Sequence, residues 1–322
     1  MRRCLLLVAV LFAAVHVAAA QESLLGLPAP SDPQKPGTVF LHGGGAITSD
    51  AWSAFLALAG GKNARIILVP CAGFRRASYA SDAAYRAAVS NRYGSWVSLA
   101  RKGEIASCDF LYTDDPRDAE NEKFIEPLTK ATGVWFTGGS QDRLNYRFVN
   151  FPQPTKFQAA LRGVLVRGGV VGGTSAGMAA LPEVMTLRQD RDPASAQAEV
   201  VAAHGLGLFN QAIVEQHFDG RAGRLERFTG LLRDNARLDQ LAGRPGAGTS
   251  MMGIAVEEGT ALAVRGDRMK VFGRSAVHVF IKATKGRSIT WHELASGETA
   301  QFRRDERGLS QLVREELLVQ GR

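Results

Sequence analysis

The chain has 322 residues, 45% of them apolar and 22% charged, which is ordinary globular composition and long enough to bury a core. Its 35 glycines and 12 prolines follow no period, and its three cysteines include no C-x-x-C pair, so fibrous, low-complexity and disulfide-built or zinc-ribbon classes are excluded. The formal charge of +8 comes without a long basic run or basic residues interleaved with aromatics, and it is an arginine-rich surface rather than a nucleic-acid footprint.

The first predicted element is a targeting segment. Arg2-Arg3, an apolar stretch from Cys4 to Val17 and Ala18-Ala19-Ala20 before Gln21 have the form of a cleavable signal peptide over residues 1–20. The apolar run is short of the ~20 residues a spanning helix needs. The expected address is therefore periplasmic or fully secreted. Residues 21–37, rich in Pro, Ser and Gly, predict a flexible lead-in, and residues 38–322 a single α/β domain. In an oxidising compartment Cys71 and Cys108 are compatible with one disulfide or with two buried thiols.

Short apolar runs then alternate with amphipathic stretches. Strands are expected over residues 38–41, 64–69, 109–112, 133–136 and 169–171, most ending in a Gly-rich or Asp-rich turn. Helices are expected over 83–102, 120–131 and 155–167. Apolar strand, turn and helix in repetition predict a doubly wound, mostly parallel sheet with helices on both faces. In such sheets sites form at the carboxyl ends of strands. Beyond Ser175 a polar excursion (188–199), a strand (208–214), a helix (221–236) and an alternating segment through Glu257-Glu258-Gly259 follow, then short alternating runs at 276–281 and 287–291.

Gly173-Thr174-Ser175-Ala176-Gly177 fits G-x-S-x-G between an apolar strand and a helical stretch, the context of a nucleophile elbow, with a helix N-terminus behind the serine to favour negative charge. A serine needs a base and an orienting acid. Outside the signal peptide the histidines are His42, His204, His217, His278 and His292. His217 follows an apolar strand and is the best base by position. His278 fits a strand face, His292 a solvent-facing stretch, and His204 has no evident partner. No H-E-x-x-H occurs, and Asp114-Asp115 and Glu257-Glu258 lack a histidine at ligand spacing, so no metal and no cofactor is expected.

Four stretches together resemble the cyanophycinase family, serine peptidases related to aspartyl dipeptidase. Phe136-Thr137-Gly138-Gly139-Ser140-Gln141 is similar to its F-T-G-G-D-Q turn, and Gly172 to Gly177 to its G-T-S-A-G elbow. Glu215-Gln216-His217-Phe218 is similar to its D-Q-H-F box, and Gly253 to Ala261 to its G-I-x-x-D-E-x-T-A strand. The resemblance implies a class I glutamine amidotransferase-like fold, Ser175 as nucleophile, His217 as base and Glu258 as orienting acid. Glu257 competes for the acid role, and strand alternation sends the two carboxylates to opposite faces. Backbone N–H groups of Ala176 and of Gly138 or Gly139 would hold the oxyanion. Gln141, Glu215 and Gln216 would lie near the substrate, Glu215 pairing with a guanidinium or amine. Arg221, Arg224 and Arg227 would line one helix face and bind substrate carboxylates, or else form a solvated stripe. Ser140 and Glu215 stand where the family has aspartate, and the arginine box is one residue longer around Ala222-Gly223, so the departures bear on specificity more than on reaction.

The implied partner is a peptide or polyamide substrate such as cyanophycin, a poly-aspartate carrying arginine on each β-carboxyl. The implied activity is release of β-Asp-Arg type dipeptides, and a homodimer stays open. Other aspartyl or isoaspartyl peptides are the alternative. An α/β-hydrolase esterase would use His42-Gly43-Gly44-Gly45 as oxyanion motif, but its order of serine, acid, histidine requires Asp239 with His278 or His292. A secreted binding protein that has kept the fold without turnover is the last alternative.

Overall fold

The computed structural model describes residues 37–187, 201–219, 223–283, 288–304 and 310–314. The expected signal peptide, the lead-in up to residue 36, the polar excursion and Arg221 lie outside the described residues.

Five parallel strands form the centre of a large sheet: β1 (Thr38–His42), β2 (Arg65–Val69), β3 (Ser107–Phe110), β4 (Gly133–Phe136) and β5 (Val170–Thr174), in the order β1-β5-β4-β2-β3. Their side chains alternate between two cores. Val39, Leu41, Ile67 and Val69 face one, and Phe40, Ile66 and Leu68 face the other. Helix α1 (Ser49–Leu58) covers the second core through Phe55 and Leu58, together with Trp96. That tryptophan belongs to α3 (Gly94–Arg101), which follows α2 (Asp82–Arg92). The first core is covered by α5 (Gln141–Phe148) and α6 (Lys156–Val166), which follow the short α4 (Glu122–Ile125). This is the doubly wound arrangement read from the sequence. Thr155 and Gln158 start α6 with a reciprocal capping box.

Chain breaks explain where the expected helices differ. The expected helix at 83–102 is two helices, α2 and α3, parted at Tyr93-Gly94. The one at 120–131 shrinks to α4 between tighter turns, where Pro127 withdraws an N–H donor. The one at 221–236 starts at Arg224, because Gly223 is left-handed at φ 74°.

Behind the Ser175 turn come α7 (Ala176–Ala179), the hairpin β6 (Val184–Leu187) and β7 (Val201–His204), and then β8 (Ala212–Glu215). Helices α8 (Arg224–Arg233), α9 (Asn235–Ala242) and α10 (Ala247–Ser250) lead to β9 (Met252–Val256). The chain then enters β10 (Thr260–Arg265), β11 (Arg268–Gly273), β12 (Ala276–Lys282), β13 (Ile289–Ala295), β14 (Thr299–Arg304) and β15 (Ser310–Arg314). Strands β10, β11, β14 and β15 extend the large sheet beyond β1, all antiparallel. Connections as short as Gly266-Asp267 permit only antiparallel neighbours, which makes this flank the antiparallel part of the sheet.

Strands β8, β9, β12 and β13 make a separate small sheet, ordered β13-β12-β9-β8. Ile254, Val277 and Val279 join the core shared with the large sheet, while Ile213, Ala255 and Phe280 pack under α8 and α9. The segment from β9 to β10 crosses from the small sheet to the large one. Its corner is Glu257-Glu258-Gly259.

Cys71 and Cys108 are both free thiols. Register explains why: Cys108 stands opposite Ile66, five residues before Cys71 along the neighbouring strand. Burial pushes both thiols up to about 12. Among the described residues no helix is long and apolar enough to cross a membrane.

Candidate active site

Ser175 follows directly on β5 with φ 55° and ψ −123°, and His217 follows β8 with φ 48°. They are the only non-glycine residues with positive φ among the described residues, and such strain persists only where surrounding structure enforces it. Here the enforcement is visible. Ser175 N–H donates to the His42 carbonyl at 3.0 Å, and His217 N–H donates to the Gly43 carbonyl at 2.8 Å. A Cβ on Gly177 would overlap the Phe136 carbonyl, so the elbow needs glycine there to seat against β4.

These constraints bring Ser175 Oγ to 2.8 Å from His217 Nε2. His217 Nδ1 donates in turn to Glu258 Oε1. The imidazole is nearly buried, with 11% of its side chain exposed, against 35% for Glu258. The Glu258 backbone N–H donates to Asp219 Oδ1 at 2.9 Å, which fixes the corner the carboxylate hangs from. Glu257 turns the other way. Its carboxylate meets His278 Nε2 at 2.7 Å and accepts from Ser275 Oγ and the Ala276 N–H, while Trp291 Nε1 donates to His278 Nδ1 at 3.0 Å. Burial opposes ionisation of Glu257, but the hydrogen bonds from Ser275, His278 and Ala276 outweigh it and hold the carboxyl below its ordinary value.

The turn after β1 closes over the site from the other side. A Cβ on Gly44 would overlap the His217 ring, and one on Gly45 would come within 3.2 Å of Glu258 Oε2. His42 sits beneath, fully buried, its Nδ1 facing Thr174 Oγ1 at 2.8 Å and the Gly44 N–H at 3.3 Å. Burial first, and the neighbouring His217 second, lower its pKa to about 4. In the sequence this turn reads as the first strand's end, packed close to the site, or as the oxyanion motif of the rival esterase. The signal was there in three glycines beside a histidine, but nothing local tells which side chain they must admit.

Gly138 faces Ser175: a Cβ on it would lie 3.4 Å from Ser175 Cβ and 3.7 Å from Oγ. Gly139, at φ 148°, has no room for a Cβ beside the Ala72 carbonyl. Ala176 opens α7, which has four residues, so the expected support from a helix dipole reduces to the N–H donors of the turn itself.

A cavity of about 140 Å³ adjoins Ser175, and Gln141, Glu215, Gln216, Arg224 and Arg227 all line it. One expectation is corrected here. Glu215 does not wait for a substrate cation. It is buried in an ion pair with Arg224, which also donates to the Gln216 carbonyl at 2.5 Å. Of the three arginines, Arg221 lies outside the described residues, while Arg224 and Arg227, three residues apart on α8, both line the cavity, Arg227 without the Glu215 pairing. Ser140, in the place of the family aspartate, donates to Asp142. Thr186 and Leu187 of β6 also line the cavity and carry no motif by which a sequence could point to them. Of the remaining histidines, His278 is the expected strand-face residue, His204 stacks on Phe151 with ring centres 3.8 Å apart, and His292 is half-buried on β13. Among the described residues no cluster of three His, Cys, Asp or Glu side chains could hold a metal ion.

A family model described as Peptidase family S51 matches residues 39–272, a stretch that holds Ser175, His217 and Glu258. The chain belongs to peptidase family S51. Cyanophycinase from Synechococcus elongatus is 29% identical to it over 177 residues, covering 54% of this chain and 49% of that protein. Cyanophycinase from Geminocystis herdmanii is 28% identical over 224 residues, covering 69% and 71%. The S51 chain thus aligns with about half the length of the first relative. The crystal structure of a peptidase from an acI-B1 Actinobacterium superposes with TM-score 0.54 at 21% identity, covering 84% of this chain and 99% of that one, and so shares the fold.

Proposed function

We propose that this S51 member is a serine exopeptidase that cleaves aspartyl peptide bonds and releases β-Asp-Arg type dipeptides from a cyanophycin-like substrate. The observation that carries the reading is the hydrogen-bonded series from Ser175 Oγ through His217 to Glu258, beside a polar cavity. Ser175 Oγ attacks the scissile carbonyl while its proton passes to His217 Nε2. Glu258 keeps the imidazole in the tautomer whose Nε2 accepts. The oxyanion lies against the N–H groups of Ala176 and of Gly138 or Gly139, each such donor contributing ~3 kcal/mol to the transition state. His217 then protonates the leaving amine, and water resolves the acyl-enzyme by the same path in reverse. Gln141, Gln216 and Arg227 receive the acidic residue on the acyl side, where a guanidinium suits a carboxylate. The signal-peptide pattern expected over residues 1–20 supports an address in the periplasm or outside the cell for this chemistry.

A second substrate class is favoured by one observation. Arg224 is already paired with Glu215, so the cavity presents less free positive charge than three arginines would. That suits a smaller acidic or isoaspartyl peptide. Hydrolysis of purified cyanophycin by the protein lacking residues 1–20, with Ser175→Ala as control, separates the readings. Dipeptide release that disappears in the variant supports the polymer substrate. Ser175-dependent cleavage of isoaspartyl peptides alone moves the assignment to the second class, and hydrolysis that survives Ser175→Ala overturns both.

A further inference from the structure

The Ser175 hydroxyl has one proton and two acceptors. His217 Nε2 lies at 2.8 Å and Gln216 Oε1 at 2.6 Å. An amide can be turned so that its nitrogen or its oxygen faces a neighbour, so the question is what fixes Gln216 with its oxygen inward. The answer runs away from the nucleophile. Gln216 Nε2 donates to Gln141 Oε1 at 3.3 Å, and Gln141 Nε2 donates to the Thr186 carbonyl at 2.9 Å. A backbone carbonyl only accepts, so the far end of the relay sets the direction of both amides. The glutamine side chains are buried, and the Gln216 backbone is held at both its polar groups. Its N–H donates to Glu215 Oε1 at 3.1 Å and its carbonyl accepts from Arg224. The buried Glu215–Arg224 pair thereby clamps the residue that faces Ser175.

We infer that Gln216 is a positioning residue that draws the Ser175 proton away from His217 in the empty site, and that Gln141 and the Thr186 carbonyl hold it in that orientation. The inference rests on Ser175 being the nucleophile. The same two amides line the cavity. A polar side chain of the substrate entering there competes for them, breaks the relay, and returns the hydroxyl proton to His217. The nucleophile is then fully engaged with its base only when the cavity is filled, which disfavours acylation by molecules that leave it empty.

A fluorophosphonate probe reads this without filling the cavity. On labelling, the Ser175 Oγ–P bond forms and the P–F bond breaks, the hydroxyl proton passing to His217 Nε2 and fluoride leaving. Gln216→Met keeps the length of the side chain and removes the acceptor. We expect it to label about fivefold faster than the parent, the equilibrium value of one neutral hydrogen bond, while kcat/KM for the peptide falls. Gln141→Leu, which does not touch Ser175, should shift labelling in the same direction. Damage to the site would lower both readouts together, so their divergence is the signature. Labelling of a folded Gln216→Met at the parental rate or below overturns the relay. If that variant does not fold, an unchanged rate in Gln141→Leu overturns it. Labelling that persists in Ser175→Ala instead removes the nucleophile on which the proposal stands.

Discussion

Two adjacent glutamates in this S51 chain have opposite environments, and the difference is a matter of single side chains. Glu258 reaches His217, while Glu257 reaches His278 across the neighbouring strand. Each carboxylate has its own imidazole, but only one imidazole faces a hydroxyl. Glu258→Gln should therefore leave the fold intact and lower kcat by about 10³- to 10⁴-fold, because an amide favours the wrong tautomer of His217. Glu257→Gln should keep kcat within a few-fold and instead lower the unfolding midpoint, since the Ser275, His278 and Ala276 hydrogen bonds lose a charged acceptor. Steady-state kinetics and urea melts on both variants check this, and a large loss of kcat in Glu257→Gln would reverse the assignment. Alternation along the segment made the divergence legible in the sequence. The resemblance implied Glu258 behind His217, but that Glu257 meets His278 was not legible, because β9 and β12 become neighbours only in the folded sheet.

At the scale of elements, the site is a meeting of turns. The elbow after β5, the turn after β1, the turn after β8 and the corner before β10 all close on the same imidazole. The elbow and the corner were readable because their residue types are constrained by chemistry and by local backbone shape. What the turn after β1 must admit was not, since its Gly44 answers to a histidine 173 positions away in the chain. His42 fastens that turn, and its titration offers a test. Its folded pKa of about 4 lies below the ordinary 6.5, so the unfolded chain binds the proton first as pH falls. The His42 contribution is thus fully present above 6.5 and lost as pH falls toward 4, up to about 3 kcal/mol for a buried group. Comparing the protein with His42→Gln by urea unfolding over that window should show the stability difference shrinking on acidification. A difference that stays flat would show that His42 does not carry the acid limb.

At the scale of the molecule, Ser175 belongs to the large sheet, His217 to the small one, and Glu258 to the crossing between them. The parallel half of the large sheet was legible because buried strands with Gly-rich ends have a strong local signature. The second sheet was not, since β9 and β10 look like one alternating segment until the corner divides them. The two sheets share an apolar core through Ile254, Val277 and Val279, and at the site a backbone bond joins them, His217 N–H to the Gly43 carbonyl. Tryptophans report the two sides separately. Trp52, Trp96 and Trp135 pack together against the large sheet, whereas Trp291 lies on β13 of the small one. In a urea titration the fluorescence of Trp291→Phe follows the large sheet, and its difference from the parent follows the small sheet. Since Ser175 and His217 are supplied from opposite sides, fluorophosphonate labelling of Ser175 should be lost no later than the earlier of the two transitions. Labelling at the native rate after the Trp291 signal has gone would mean that His217 stays in place without its sheet, and that the division of the site between the two sheets has no energetic weight.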